Sequence, residues 1–109
     1  MMFVLFNSCK RDGEETAPRC DTSNVTYSVT ITGLINTYKC KNCHNNTFMP
    51  AGINAESYAS LKVPALNGRL YGALSHTSPY ISMPLGGPKM SDCDLAKVKA
   101  WIDAGAPNN

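Results

Sequence analysis

The chain has 109 residues, enough for one small domain and too few for a large apolar core. Its hydrophobic content of 43% places it with globular rather than disordered proteins. Ten basic and eight acidic residues leave a net charge of +2, too weak a bias for nucleic-acid binding.

Residues 1–8 read Met-Met-Phe-Val-Leu-Phe-Asn-Ser, with the first six apolar. The run is too short to span a membrane, shorter than a usual signal-peptide apolar region, and lacks a basic start. It is expected to be the tail of a secretion signal whose beginning is missing. Ser8-Cys9 resembles the end of a bacterial lipobox, with cleavage before Cys9 and lipid on its sulfur. The segment from Cys9 to Glu15 resembles the charged start of Bacteroidetes-type outer-membrane lipoproteins. That likeness implies the periplasmic side of a bacterial envelope, with the lipid at Cys9 as the only membrane contact. Residues 9–24 are polar, hold Gly13 and Pro18, show no periodicity and read as a tether. The domain proper is expected over 25–109, where seven basic residues face four acidic ones.

From Tyr27 the pattern turns helical. Tyr27, Ile31, Leu34, Ile35 and Tyr38 lie on one face of an α-helix expected to run into Cys40. Val29, Thr30, Ile31 and Thr32 are mediocre helix formers, so packing has to hold this helix. Gly33 is expected to permit close approach of another element.

The helix delivers Cys40-Lys41-Asn42-Cys43-His44. Two cysteines two residues apart, followed at once by histidine, form the attachment signature of a c-type haem. Each thiol adds across one porphyrin vinyl group, and His44 then falls under the iron as its proximal ligand. Its other ring nitrogen needs an acceptor, and the Pro50 carbonyl or a neighbour in the following loop is expected to supply it.

His44 to Gly52 reads as a loop. Asn54 is expected to cap a short helix through about Lys62, with Ala55, Tyr58, Ala59 and Leu61 apolar and Pro64 as its end. A third helix is expected over Leu66 to Ser75, with Leu66, Leu70, Ala73 and Leu74 on one face. His76 to Met90 is a constrained loop, with Pro79, Pro84, Gly86, Gly87 and Pro88. The last helix starts at Ser91 with Asp94 three residues on, a capping-box pattern. It buries Leu95, Val98, Trp101 and Ile102, and ends at Gly105 with Pro107 beyond.

A sixth ligand to the iron is sought among Met49, His76, Met83 and Met90. Met83 is favoured because Pro84 stiffens the loop that has to hold so soft a donor. Met90, next to the last helix, is expected to be core, and His76 to be a cap or a satisfied polar group. Of the five cysteines, the haem takes Cys40 and Cys43 and the lipid takes Cys9. Cys20 and Cys93 remain, a pair able to form a disulfide in an oxidising compartment. Arg69 is a candidate partner for a haem propionate. Lys39, Lys41 and Lys89 flank the ligand segments and could offer an edge to an acidic redox partner, though plain solvated lysines explain them better.

The order of helix, Cys-x-x-Cys-His, loop, two short helices, Met-Pro loop and aromatic-bearing last helix resembles the class I cytochromes c. Residues 62–109 resemble the small lipoprotein monohaem cytochromes of Bacteroidetes. That likeness is carried by Asn67-Gly68-Arg69-Leu70, Ser82-Met83-Pro84-Leu85-Gly86-Gly87, Ser91-Asp92-Cys93-Asp94 and Trp101-Ile102-Asp103-Ala104-Gly105-Ala106-Pro107. The resemblance implies an all-α, cytochrome c-like fold in which first and last helices cross, with Gly33 and Trp101 as partners at the crossing. It implies one covalent haem c in the core, ligated by His44 and Met83. It also implies a monomeric electron carrier, not an enzyme, working between a protein donor and a protein acceptor. Two other readings stand beside it. A haem peroxidase or gas sensor needs an open sixth site. A haem-free module needs Cys40 and Cys43 as redox thiols, or as zinc ligands with two of Cys20, Cys93 and His76.

Overall fold

Among the described residues the first helical segment is capped by Thr26, whose side chain accepts from the Val29 amide at 3.3 Å. The Thr26 carbonyl takes both the Thr30 and the Ile31 amides, at 3.1 and 3.0 Å. The second bond spans five residues, so Tyr27–Ile31 is a π turn that runs directly into the α-helix Thr32–Thr37, here α1. In this computed structural model residues 20–109 are described, and all regular structure among them is helical. The signal segment, the lipid site at Cys9 and most of the tether lie outside the described residues. After α1 come α2 (Tyr58–Leu66), α3 (Arg69–Leu74) and α4 (Asp92–Asp103). Short 3₁₀ turns occur at Cys40–Asn42 and Pro50–Gly52. None of the described helices is long and apolar enough to cross a membrane.

The single helix expected up to Cys40 is thus divided. Threonine hydroxyls compete with the backbone ladder: Thr30 Oγ1 accepts from the Thr26 amide, and Thr32 Oγ1 donates to the Ser28 carbonyl at 2.7 Å. At the far end Lys39 adopts a left-handed φ of 58° and breaks the helix before Cys40.

The next two helices also shift. Asn54 caps nothing; its Oδ1 accepts from the Glu56 amide in a local turn. Ser57 caps α2 instead, accepting from the Ser60 amide at 3.2 Å. Pro64 sits inside α2 rather than ending it, because both it and Ala65 are buried against the core, and packing outweighs the missing donor. The third helix starts late, since Gly68 at φ 90° breaks the chain and Asn67 Oδ1 takes the Arg69 amide. Leu66 consequently ends α2 and is 53% exposed rather than buried.

α4 follows its sequence closely. Ser91 Oγ accepts from the Asp94 amide at 3.1 Å, and Leu95, Val98 and Trp101 are buried. Ile102 is only half-buried. Gly105 at φ 96° donates to Ile102, and Ala106 donates to Trp101, both at 2.9 Å, completing a Schellman cap.

The π turn packs against α4, so first and last helical segments meet. The contact is aromatic. The Tyr27 ring lies 5.9 Å from Trp101 and 5.2 Å, edge-on, from Tyr58. Gly33 has no part in it, since a Cβ added there meets nothing within 4 Å. The expected Gly33–Trp101 partnership is therefore replaced by Tyr27–Trp101, because the π turn, not α1, faces α4. The close approach in this fold is at Gly72, where a Cβ would stand 2.2 Å from the Tyr80 ring.

Polar clasps close the bundle. The Tyr58 hydroxyl donates to the Ala106 carbonyl at 2.7 Å, and Trp101 Nε1 donates to the Pro107 carbonyl at 2.9 Å. The Tyr38 hydroxyl donates to Asp94 at 2.6 Å, joining the end of α1 to the start of α4. A disulfide joins Cys20 to Cys93 across 73 residues, a closure that stabilises by about 2–4 kcal/mol.

The two glycines should respond oppositely. Gly33→Ala fits open helical space and should raise stability by about 0.5–1 kcal/mol. Gly72→Ala drives a methyl into the Tyr80 ring and should cost about 1–3 kcal/mol. Thermal unfolding of the two variants checks this; equal shifts would contradict the packing described.

Candidate functional site

The helices enclose a cavity of about 780 Å³. That is the size of pockets that take organic cofactors, roughly 300–1,000 Å³. Ile31 and Ile35 line it from the first helical segment, Leu61 from α2, Leu74 from α3 and Val98 from α4. Most of the remaining wall is apolar. Among the described residues its charged lining is Lys39 and Arg69, both basic, with no carboxylate. Cys40, Cys43, His44 and Met83 all line this one cavity.

The cysteine motif is shaped by short-range bonds. The Cys40 carbonyl accepts from the Cys43 amide at 3.2 Å and the His44 amide at 2.9 Å, so the five residues form a single tight turn. Both thiols are free, with Cys43 exposed and Cys40 half-buried. Burial pushes the Cys40 thiol above its ordinary pKa. The following loop is pinned by Asn45, whose Oδ1 accepts from the Thr47 and Phe48 amides and whose Nδ2 donates to the Lys41 carbonyl.

His44 is held twice. Its carbonyl accepts from the Ala55 amide at 3.0 Å, and its Nδ1 lies 3.0 Å from the Ile53 carbonyl. A carbonyl only accepts, so Nδ1 carries the proton and Nε2 carries the lone pair. The Pro50 carbonyl named from the sequence is engaged elsewhere: it accepts from the Ile53 amide and closes the 3₁₀ turn. The ring is met instead by the carbonyl of Ile53, the residue that follows the turn.

Arg69 also serves this turn. Its Nη2 donates to the Ala51 carbonyl at 2.8 Å, steadying a residue that holds a left-handed φ of 57°. Arg69 lines the cavity while making this bond, and among the described residues no acidic side chain pairs with it. Lys39 and Lys89 are exposed, whereas Lys41 stands 3.9 Å from Glu56 in a loose ion pair.

Met83 is half-buried and packs on the core. Its amide donates to the Ala73 carbonyl at 2.9 Å, which brings the Met-Pro loop to the last turn of α3. Met90 touches the cavity but is 3% exposed and belongs to the core. Met49 is 46% exposed and, like His76, forms no part of the wall. His76 instead reaches the Met83 carbonyl, with Nε2 at 2.9 Å.

These positions weigh against the haem-free readings. Among the described residues no three of His, Cys, Asp and Glu gather at metal-binding distance. Cys20 and Cys93 are bonded to each other, and His76 is committed to Met83. Thiol-redox chemistry favours a lowered cysteine pKa, and Cys40 is shifted the other way. The neighbour of Pro50 expected to meet His44 is Ile53; the contacts of Arg69 to Ala51 and His76 to Met83 were not foreseen, and all three end on backbone carbonyls. Residue type carries no signal for such acceptors. No protein-family model, curated protein or solved structure matches the chain.

In the unmodified chain, iodoacetamide should label Cys43 before Cys40. Burial disfavours the Cys40 thiolate, so its labelling rate should still be climbing above about pH 9, where an ordinary thiol is levelling off. Mass spectrometry of labelled peptides across pH 7–10 reads both rates. Faster labelling of Cys40 at pH 7 would revive the thiol-redox reading.

Proposed function

We propose that the protein is a monohaem c-type cytochrome that carries single electrons between protein partners. The observation that carries this reading is the meeting of Cys40, Cys43, His44 and Met83 on one apolar cavity. The helical arrangement agrees with it: first segment against last, two short helices between, and the cavity among them. So does the resemblance to class I cytochromes c.

The residues present fit a haem c. Cys40 and Cys43 supply two free thiols on one turn for the thioether links. His44 supplies an Nε2 lone pair, set by the Nδ1 bond to Ile53, and Met83 supplies a thioether sulfur. Arg69 and Lys39 on the wall are the right sign for two propionates. Bound there, the haem supplies an iron that gains and loses one electron. The chain's own work is to hold two axial donors, exclude water with an apolar wall and stay in one conformation as the charge changes. No acid, base or nucleophile is required, and transfer makes or breaks no substrate bond.

The site of action is the periplasmic side of a bacterial envelope, where the Cys20–Cys93 disulfide persists. A lipid at Cys9 holds the protein to the membrane. The exposed Lys39 and Lys89 favour acidic redox partners.

Exported with c-type maturation machinery, the chain should keep its haem after denaturation, and Cys40→Ala/Cys43→Ala should lose it. In the intact holoprotein Met83→Ala should open the sixth position to carbon monoxide and lower the midpoint potential. Ready carbon monoxide binding by the unaltered protein would favour the peroxidase or sensor reading. Absence of covalent haem from the exported chain would overturn the proposal.

A further inference from the structure

His76 stands outside the cavity wall, yet it is tied to the ligand loop at its most sensitive point. Both backbone polar groups of Met83 are committed. The amide donates to the Ala73 carbonyl at 2.9 Å, and the Met83 carbonyl lies 2.9 Å from His76 Nε2. The same Ala73 carbonyl also takes the His76 amide, at 3.2 Å. One carbonyl at the end of α3 therefore anchors both residues, and the His76 ring closes the loop between them. His76 adopts a left-handed φ of 59°, a conformation uncommon for a residue with a side chain and one in which histidine is among the better tolerated. That backbone turn is what brings its ring back over residue 83. Since the Met83 carbonyl only accepts, Nε2 carries the proton.

We propose that His76 is a positioning residue for the Met83 thioether, holding the peptide of residue 83 so that the sulfur faces the cavity. The inference rests on the reading of Met83 as an axial ligand. A thioether is a weak, neutral donor, and its hold on iron depends on the loop delivering it already oriented. Two hydrogen bonds, one to the peptide group on each side of Met83, remove much of that loop's freedom. A sulfur attached to a slack loop competes poorly with a free ligand for the same position.

The test uses the holoprotein and imidazole added to its ferric form. His76→Asn suits a left-handed backbone at least as well as histidine, so the fold is not strained by it. Its amide is too short to span to the Met83 carbonyl. His76→Gln keeps an N–H near the position of Nε2. Met83→Ala sets the upper limit for an undefended sixth site. We expect His76→Asn to bind imidazole roughly 3- to 10-fold more tightly than the unaltered protein, the worth of one lost hydrogen bond. It should also weaken the sulfur-to-iron charge-transfer band, and His76→Gln should restore both. Unchanged affinity in His76→Asn would overturn the proposal. Equal gains in the Asn and Gln variants would also overturn it, leaving His76 a structural role without the donor. If Met83→Ala itself gains nothing, the axial-ligand reading falls and the role of His76 falls with it. That outcome is distinct from the first two, in which Met83→Ala does respond.

Discussion

The hydrogen bond from His44 Nδ1 to the Ile53 carbonyl is the contact on which the site hangs. It decides which ring nitrogen bears a proton, and so whether the other is able to donate to a metal. It is also where several local structures meet. The 3₁₀ turn Pro50–Gly52 occupies the Pro50 carbonyl and leads into Ile53. Arg69, from the start of α3, holds that turn at Ala51. Ala55 ties the histidine backbone to the strand of chain that leads into α2. From the other end of α3, Ala73 holds the Met83 peptide. A single six-residue helix therefore touches both halves of the site.

A chain this small has little core to spare, and several devices compensate. The aromatic trio of Tyr27, Tyr58 and Trp101 concentrates apolar area where first and last segments meet. Three rings use their polar ends as well: Tyr58 on Ala106, Trp101 on Pro107, Tyr38 on Asp94. No side-chain nitrogen or oxygen buried among the described residues lacks a partner. The polar groups thus close the periphery, and the cavity wall is left apolar.

What was legible in the sequence is instructive. α4 could be read almost residue by residue, because its signals are local: a serine cap, a periodic stripe, a glycine that only a left-handed turn wants. The cysteine motif was legible for the same reason, as five contiguous residues that make one turn. Gly33 and Gly72 were not separable, because both are glycines in helical segments and only tertiary packing says which one meets a neighbour. Pro64 looked like a stop and sits inside α2, since burial outweighed backbone preference. Asn54 and Ser57 are both good caps three residues apart, and the choice fell to the one nearer the core-facing Leu61. A loop carbonyl near Pro50 was expected for the His44 ring, but the choice of Ile53 was not legible, as any residue there offers the same oxygen.

The bridge between Cys20 and Cys93 also fixes how force travels. Tension applied at the N-terminal side of the domain meets a fork at Cys20. One arm is the short run from Asp21 to Val25, which leads into the π turn. The other is a covalent link straight to the first turn of α4, beside the Tyr38–Asp94 clasp. Because the link is the shorter and stiffer arm, the pull is carried by the best-capped helix of the fold while the run to Val25 stays slack. The π turn at Tyr27 is thereby spared a direct pull, and with it the part of the wall that Ile31 and Ile35 present to the cavity. Load that enters at Cys20 reaches the domain through α4 first.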